Sequence, residues 1–246
     1  MALGEEYVAT GNWLFRWRSY LPLVMIGLVF LALRDYQIPG HSELLDHFWE
    51  LFALGVSLFG LLIRAYTIGH APKGTSGRNT REQIAETINT TGIYSVVRHP
   101  LYLGNFFMFL GIALFPDLWW ITVIGILAFW IYYERIMFAE EDFLRRKFGD
   151  QFTAWAVRTP AFVPSFRHWQ PPALPFSMRN VLKREYNGFY AVIVVFTLLE
   201  IVSDFVADGH VEFDAMWAGI FAVGTIAFIV LRTLRRRTEM LSVEGR

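Results

Sequence analysis

Two polar clusters in an otherwise apolar chain carry the residue types that can bind a charged small molecule. The first spans residues 92–104 and contains Tyr94, Arg98, His99 and Tyr102 around Pro100. A residue before proline is disfavoured in the helical region, and proline suits the first turn of a helix. The segment therefore predicts a loop followed by a helix that begins near Pro100. Polar donors at a helix N-terminus suit an anionic group.

The second cluster lies where an apolar run gives way to charged residues. Glu140 and Glu141 stand in a segment of good helix formers, 134–148, that ends at Gly149, a residue suited to a helix C-terminus. This pattern predicts that a membrane helix continues into the cytosol. Acidic residues at such a place are also compatible with a plain solvated helix face, so the cluster alone does not establish a site.

The composition excludes several classes of protein. The chain is 54% hydrophobic and 17% aromatic, with a mean hydropathy of +0.37, which is too apolar for an ordinary soluble domain. Its 22 basic and 22 acidic residues balance, so the net charge predicts no nucleic-acid partner. It has no cysteine, which excludes disulfides, thiolate catalysis and cysteine metal sites, and its histidines lack the spacing of a zinc or iron site.

Apolar runs predict an all-α, polytopic membrane protein with about six transmembrane helices. The third and fourth runs are separated only by Pro116 and Asp117, which predicts a tight helical hairpin. The six runs are 21–33, 48–66, 102–115, 118–133, 189–205 and 216–231.

The distribution of lysine and arginine predicts the orientation. The second connection holds Lys73, Arg78, Arg81 and Arg98, and the fourth holds nine basic residues, whereas the third and fifth hold none. Because cytoplasmic loops carry the excess of basic residues, we expect both termini in the cytoplasm. Both polar clusters then face the cytosol.

The same features divide the chain into four segments. We expect an interfacial N-terminal segment, a transmembrane core with the cytosolic loops, a proline-rich surface linker, and a C-terminal transmembrane pair with a basic tail. Their bounds are 1–20, 21–166, 167–188 and 189–246. Glu200, inside the fifth run, lies near Asp204, which favours an interfacial position over a functional one.

The two clusters together resemble a known family. The pattern is Gly92-x-Tyr94-x-x-x-Arg98-His99-Pro100-x-Tyr102-x-Gly104, then Glu140-Glu141-x-x-Leu144-x-x-x-Phe148-Gly149, then Arg158-x-Pro160 and Pro164. It is similar to the integral-membrane methyltransferases, which include isoprenylcysteine carboxyl methyltransferases and phospholipid N-methyltransferases. The resemblance covers about residues 50–166.

The resemblance implies that S-adenosyl-L-methionine binds at the cytosolic ends of the third and fourth helices. The residues matching the cofactor loop are Tyr94, His99, Pro100, Tyr102 and Gly104. Glu140 and Glu141 match the paired glutamates that hold the cofactor's polar parts. Arg98 and Arg158 match arginines near the anionic group of the acceptor in carboxyl methyltransferases.

The chemistry of methyl transfer agrees with this residue set. Glutamates suit an ammonium and ribose hydroxyls, and a histidine at a helix N-terminus suits a carboxylate. An acceptor that is already an anionic oxygen needs no general base, so positioning and desolvation can supply roughly 7–11 kcal/mol of barrier reduction. The cofactor would arrive from the cytosol and a lipidic acceptor from the bilayer.

The acceptor and the reaction class leave alternatives open. The carboxylate of an isoprenylated cysteine and the phosphate of a glycolipid both fit. Residues 11–22 and 133–141 resemble bacterial members similar to lipid A phosphate O-methyltransferases, which implies a bacterial inner membrane. A phospholipid amine N-methyltransferase is an alternative. So is an NADPH-dependent sterol or enone reductase, which shares the Arg-His-Pro-x-Tyr loop but not the glutamate pair, and so is a non-enzymatic scaffold or transporter.

Overall fold

A computed structural model of the chain describes residues 2–36, 43–72, 85–210, 214–243 and 245. Every regular element in those ranges is helical, which confirms the all-α prediction. Short 3₁₀ turns occur at Leu33–Asp35, Gly92–Ser95 and Phe166–His168. The α-helices are α1 (Leu3–Trp17), α2 (Leu21–Ala32), α3 (Glu43–His70), α4 (Pro100–Leu114), α5 (Trp119–Phe148), α6 (Asp150–Arg158), α7 (Met178–Asp208) and α8 (Ala215–Arg237).

The helices α3, α5, α7 and α8 are each long and apolar enough to cross a bilayer, so this is an integral membrane protein. All six predicted apolar runs lie in helices, apart from Phe115 and Leu118 at the hairpin turn. However, α2 has 12 residues and α4 has 15, which is short for a crossing of about 20 residues. The pair α1 and α2, bent by 75° at the break between them, gives a fifth candidate span. The placement of the termini stays a prediction; Lys73, Arg78 and Arg81, on which it partly rests, lie outside the described residues.

Helices α3 and α4 pack against each other through glycines. A Cβ atom added at Gly104 would lie 2.7 Å from the carbonyl oxygen of Gly60 and 2.5 Å from Cγ of Arg64. A Cβ added at Gly111 would overlap the backbone of Ala53. The missing side chains let the two backbones approach closely, as small residues do between membrane helices. This contact sets where the N-terminus of α4 meets α3.

The α4–α5 hairpin turns at the predicted position. Asp117 adopts a left-handed backbone conformation, with φ of 52°, directly after Pro116. The turn returns α5 antiparallel to α4, and α5 then runs 30 residues to Gly149. Because α5 is twice as long as α4, its last turns extend past the start of α4. Those turns carry Glu140 and Glu141, so the hairpin brings the two polar clusters to one end of the bundle.

Helix α7 begins earlier than the sequence analysis placed it. Residues 178–188, assigned there to a surface linker, form its first turns because the side chain of Ser177 accepts a hydrogen bond from the backbone N–H of Asn180. Asn180 in turn donates to the carbonyl oxygen of Ile68 at 2.8 Å. These bonds hold the start of α7 against the end of α3.

A second buried polar group lies at the opposite end of the bundle. Glu50 of α3 and Glu200 of α7 are 2% and 5% exposed and lie beside each other. Trp217 of α8 donates its indole N–H to Glu50 at 3.0 Å. Glu200 is therefore buried between α7 and α3, and its expected position at the membrane interface stays a prediction.

The glycine contact predicts opposite effects for two substitutions in α3. Gly60→Ala should lower the stability by about 1–3 kcal/mol, because the added methyl meets the backbone of α4. Gly55→Ala should be neutral or stabilising by up to about 1 kcal/mol, because no atom lies within 4 Å of its added Cβ and alanine favours helix. Thermal unfolding of both variants in one detergent tests this. Equal melting temperatures would contradict the close α3–α4 contact.

Candidate active site

The loop before α4 is held by backbone bonds to the segment after α6. The N–H groups of Arg98 and His99 donate to the carbonyl oxygens of Pro160 and Ala161, at 2.9 and 3.2 Å. The N–H of Ser165 donates a hydrogen bond to the carbonyl oxygen of Val96 at 3.0 Å. Prolines in the 160–175 stretch oppose helix there and leave it extended for this pairing. The pairing fixes the backbone from which Arg98 and His99 project.

Glu141 joins three elements through its carboxylate. Arg98 donates Nε to Oε1 at 2.8 Å and Nη2 to Oε2 at 3.0 Å, the two-pronged geometry that arginine and carboxylate favour. His99 Nε2 lies 3.0 Å from Oε1 of the same carboxylate. One side chain of α5 therefore fixes both residues of the loop before α4.

Arg98 has few donors left for a ligand. Besides Glu141, its Nη1 donates to the carbonyl of Ala156 at 2.8 Å and to the carbonyl of Thr159. A guanidinium has five N–H hydrogens, and these contacts use four of them. Those carbonyls lie at the end of α6, where the helix leaves carbonyls without partners in its own backbone. This arrangement favours a positioning role for Arg98.

The carboxylate of Glu140 is held by Tyr102 and His99. The hydroxyl of Tyr102 donates to Oε1 at 2.7 Å, and His99 Nδ1 lies 3.5 Å from Oε2. The rings of His99 and Tyr102 stack, with centroids 5.7 Å apart. His99 thus lies between two carboxylates, and its two ring nitrogens face one each.

The surroundings of His99 favour its charged form. Burial alone disfavours an imidazolium, but the hydrogen bonds and charges of Glu140 and Glu141 outweigh it and raise the pKa of His99 above its ordinary value of 6.5. Because Nε2 bonds Glu141 and Nδ1 faces Glu140, His99 is poorly placed to accept a proton from a substrate. It serves as a bridge between the two glutamates.

A cavity of about 700 Å³ opens in front of this network. Among the described residues, four arginines line it, namely Arg18, Arg64, Arg98 and Arg184, together with two glutamates, Glu140 and Glu185. Aromatic and apolar groups complete the wall, among them Phe15, Tyr94, Tyr133, Phe143 and Trp155. The volume and the mixture of charges suit a zwitterionic ligand of nucleoside size.

Arg64 connects this cavity to α7. It donates Nε and Nη2 to the carboxylate of Glu185 at 2.7 and 2.9 Å, and Nη1 to Asn105 at 2.6 Å. The side-chain amide of Asn105 donates a hydrogen bond to the hydroxyl oxygen of Tyr133 at 3.0 Å. The chain of bonds crosses four helices, so α3, α4, α5 and α7 are positioned together around the cavity.

The structure brings most of the predicted residues together. Tyr94, Arg98, His99, Pro100, Tyr102 and Glu140 line the cavity. Glu141 lies behind them in the ion network. Gly104 faces Arg64 in the α3–α4 contact, and Arg158 is exposed on α6, where its Nε bonds the carbonyl of Ala154 at 3.2 Å. The roles assigned to these residues stay predictions.

Sequence reasoning missed Arg18, Arg64 and Arg184 as cavity residues. Arg64 had a usable signal, because an arginine inside an apolar helix marks a partner or a site. Arg18 and Arg184 carried no such signal, because arginines at membrane boundaries are common topological markers. Only the packing of α1 and α7 against the core shows that both face the cavity.

The sequence profile of the phospholipid methyltransferase family matches residues 51–151, which include both polar clusters. The nickel-cobalt-cadmium resistance protein NccN of Alcaligenes xylosoxydans xylosoxydans is 33% identical over 155 residues, 62% of this chain and 67% of that protein. The chain belongs to the phospholipid methyltransferase family. Its family segment runs from α3 into the start of α6, so α1, α2, α7 and α8 lie outside the profile.

Two further relatives widen this comparison. The cobalt-zinc-cadmium resistance protein CzcN of Cupriavidus metallidurans is 34% identical, over 60% of this chain and 62% of that protein. Protein-S-isoprenylcysteine O-methyltransferase of Schizosaccharomyces pombe is 26% identical, over 47% and 50%. The matched part of the chain thus covers between half and two thirds of the length of each of these relatives. No solved structure matches it. Within the described ranges no group of three acidic or histidine side chains is placed to hold a metal ion.

The position of His99 predicts a pH-dependent contribution to stability. Because the pKa of His99 is raised in the folded protein, protonated His99 stabilises the fold fully below pH 6.5. This stabilisation is lost as the pH rises through the raised pKa. The gap in melting temperature between wild type and His99→Gln should therefore be widest near pH 6 and narrow towards pH 9. Replacement of the exposed His168 by glutamine is the control. A gap that widens with pH would contradict an imidazolium bridge.

Proposed function

We propose that the protein transfers a methyl group from S-adenosyl-L-methionine to an anionic oxygen of a lipidic acceptor in the membrane. The observation that carries this is the cavity at the joined polar clusters, in which arginines outnumber glutamates among the described lining residues. Family membership supports methyl transfer as the reaction class. The acceptor oxygen would be the carboxylate of an isoprenylated cysteine or the phosphate of a glycolipid such as lipid A.

The residues present fit the cofactor. Glu140 faces the cavity with a carboxylate that suits an ammonium group or ribose hydroxyls. Tyr94, Phe143 and Trp155 offer aromatic surface for an adenine ring. When bound, S-adenosyl-L-methionine supplies an electrophilic methyl group on a sulfonium. Tyr102 and His99 orient Glu140 through the bonds described above, so they act as positioning residues for cofactor binding.

An anionic acceptor agrees with the charges around the cavity. Neither lining glutamate is left for an amine acceptor, because we assign Glu140 to the cofactor and Glu185 is paired with Arg64. An amine acceptor arrives protonated at neutral pH and needs a base to release its proton. His99 is held between carboxylates and is poorly suited to that task. A carboxylate or phosphate needs no deprotonation, and the arginines stabilise its charge until the oxygen–methyl bond forms.

Catalysis then rests on positioning and on exclusion of water. The carboxylate loses its charge as the new oxygen–carbon bond forms and the sulfur–carbon bond breaks, so desolvation in a cavity favours the step. Holding the two reactants in line supplies roughly 7–11 kcal/mol of the barrier reduction in favourable cases. Two networks of hydrogen bonds, one around Glu141 and one from Glu185 through Arg64 and Asn105 to Tyr133, provide the rigidity that this requires. We place the site at the cytosolic face, following the charge distribution of the loops. The resemblance of residues 11–22 and 133–141 to bacterial members supports a bacterial inner membrane.

The two arginines that the sequence assigns to the acceptor differ in their surroundings. Arg98 lines the cavity, but most of its N–H groups donate to Glu141 and to backbone carbonyl oxygens. Arg158 is exposed on α6, so Arg158→Ala tests its assigned role directly.

A substitution in α5 tests the cofactor part of this proposal. Glu140→Gln should weaken binding of S-adenosyl-L-methionine and raise its KM about tenfold or more, because a charge-assisted hydrogen bond is worth roughly 1.5–3 kcal/mol. The exposed Glu134 of the same helix gives the matched control, Glu134→Gln, which should leave the KM unchanged. Purified protein in detergent would be assayed with methyl-labelled cofactor and three acceptors.

The acceptors are N-acetyl-S-farnesylcysteine, a lipid phosphate monoester and phosphatidylethanolamine. We expect label in the carboxylate or the phosphate acceptor. If the carboxylate is methylated, alkaline hydrolysis of its methyl ester should release labelled methanol. Label confined to phosphatidylethanolamine would replace the anionic oxygen with an amine. Equal KM values for Glu140→Gln and Glu134→Gln would remove Glu140 from the cofactor site.

A further inference from the structure

We propose that the hydroxyl group of Tyr133 donates a hydrogen bond to the anionic group of the methyl acceptor, and that Glu185 of α7 positions this hydroxyl. The inference rests on the proposed function and adds to it a specific contact with the acceptor. The observation behind it is the direction of the hydrogen bonds that run from Glu185 to Tyr133. In that chain of bonds, each group determines which atom of the next group can donate.

Arg64 fixes the orientation of the Asn105 side chain. A guanidinium has N–H donors and no acceptor, so the atom 2.6 Å from its Nη1 must be the amide oxygen of Asn105. The amide nitrogen of Asn105 then faces Tyr133, with Nδ2 3.0 Å from the hydroxyl oxygen. An amide nitrogen only donates. The hydroxyl oxygen of Tyr133 is therefore the acceptor in this bond, and its own hydrogen is left for another partner.

The ring of Tyr133 is packed among other aromatic rings. The ring of Phe129 stacks on it with centroids 4.2 Å apart, and the rings of Tyr132 and Tyr102 lie at 4.8 and 4.9 Å. Tyr133 is 5% exposed and lines the polar cavity together with Asn105. In the part of the chain that the structure describes, its hydroxyl has no acceptor for the hydrogen. A ligand oxygen in the cavity is the partner that completes the bond.

The surroundings of this hydroxyl suit an anionic oxygen. Arg64 lines the same cavity, and its bonds to Glu185 and Asn105 use three of its five N–H hydrogens. A cation therefore stands next to the amide that orients the hydroxyl. A hydrogen bond to a charged oxygen is also about twice as strong as one to a neutral oxygen. A carboxylate or phosphate is thus the ligand group that gains most from this donor.

Tyr102 connects this donor to the proposed cofactor site. Its ring contacts the ring of Tyr133, and its hydroxyl donates to Glu140 at 2.7 Å. The donor that we assign to the acceptor and the carboxylate that we assign to the cofactor are thus separated by one aromatic ring. Direct transfer of a methyl group requires that its two reactants lie this close together.

The proposed hydrogen bond persists through the reaction. One oxygen of the acceptor forms the bond to the methyl carbon while the sulfur–carbon bond breaks, and the electron pair of the broken bond stays on sulfur. A second oxygen of the same carboxylate or phosphate remains unmethylated and still accepts from Tyr133 in the product. No proton leaves the hydroxyl. Tyr133 therefore orients the acceptor without acting as an acid or a base.

Glu185 brings α7 into this arrangement. It accepts from Nε and Nη2 of Arg64, at 2.7 and 2.9 Å, and so holds the guanidinium where Nη1 reaches Asn105. The other three residues of the chain of bonds lie within 51–151, the segment matched by the family profile, whereas Glu185 lies outside it. Glu185 is therefore a positioning residue of α7 for a contact that α5 makes.

The test removes one hydroxyl at a time from two neighbouring tyrosines. Tyr133→Phe deletes the proposed donor. Tyr132→Phe is the matched control, because the buried hydroxyl of Tyr132 has no hydrogen-bond partner among the described residues. Purified protein saturated with S-adenosylhomocysteine would be titrated with N-acetyl-S-farnesylcysteine and, separately, with dodecyl phosphate.

Wild type should bind at least one of these two anions, and the anion that binds identifies the acceptor group. Tyr133→Phe should weaken its binding about tenfold or more, because a hydrogen bond to a charged oxygen is lost. Tyr132→Phe should leave it unchanged. Neither variant should change the affinity for S-adenosylhomocysteine, which also shows that both variants are folded.

Two further variants test the positioning of the hydroxyl. Asn105→Leu removes the group that orients it and adds no charge. The loss caused by Tyr133→Phe should therefore shrink to less than about threefold in the Asn105→Leu background. It should also be smaller in the Glu185→Gln background than in wild type. A purely structural role of Glu185 would leave the loss caused by Tyr133→Phe the same in both backgrounds.

Anion binding by Tyr133→Phe equal to that of wild type, or weakened no more than in Tyr132→Phe, would overturn the inference. Binding of neither anion by wild type would do the same, and so would weaker binding of S-adenosylhomocysteine by Tyr133→Phe, which would assign the hydroxyl to the cofactor. An undiminished loss in the Asn105→Leu and Glu185→Gln backgrounds would overturn the positioning by α7. In all these cases S-adenosylhomocysteine binding by wild type would leave the proposed cofactor site standing, whereas its absence would remove the proposed function itself.

Discussion

The site depends on one carboxylate, that of Glu141, which bonds Arg98 and His99 at the same time. Arg98 then fixes the carbonyls at the end of α6, and His99 fixes Glu140. The start of α4, the end of α5 and the end of α6 are thus tied to one point. Partly buried ion pairs of this kind contribute little net stability, because desolvation offsets attraction. Their contribution here is to specify one geometry at a place where three chain segments meet.

The rest of the bundle brings these segments within reach of that carboxylate. Glycine contacts set the distance between α3 and α4, and Arg64 of α3 then reaches Glu185 of α7 and Asn105 of α4. The buried Glu50–Glu200 pair joins α3 and α7 again at the far end. With α7 attached to α3 along its length, the wall of the cavity is held in place. A preorganised site is what methyl transfer requires when no general base takes part.

How much of this was predictable differs between elements. The loop before Pro100, the hairpin at Asp117 and the helix ending at Gly149 follow from local residue preferences, so sequence reasoning found them and the clustering of Tyr94, His99, Tyr102 and Glu140 with them. The early start of α7 and the cavity roles of Arg18 and Arg184 depend on which faces pack together, and side chains at a membrane boundary do not reveal that. The burial of Glu200 is a further case, because its close neighbour in sequence is Asp204, whereas the packing of α7 on α3 sets it beside Glu50.

The most direct test of the account is calorimetric titration of the purified protein with S-adenosylhomocysteine and, separately, with NADPH. The account predicts saturable binding of S-adenosylhomocysteine, lost in Glu141→Gln, because that variant removes the charge that holds Arg98 and His99 in place. It predicts no binding of NADPH. Saturable NADPH binding without binding of S-adenosylhomocysteine would contradict the account and assign the cavity to a reductase.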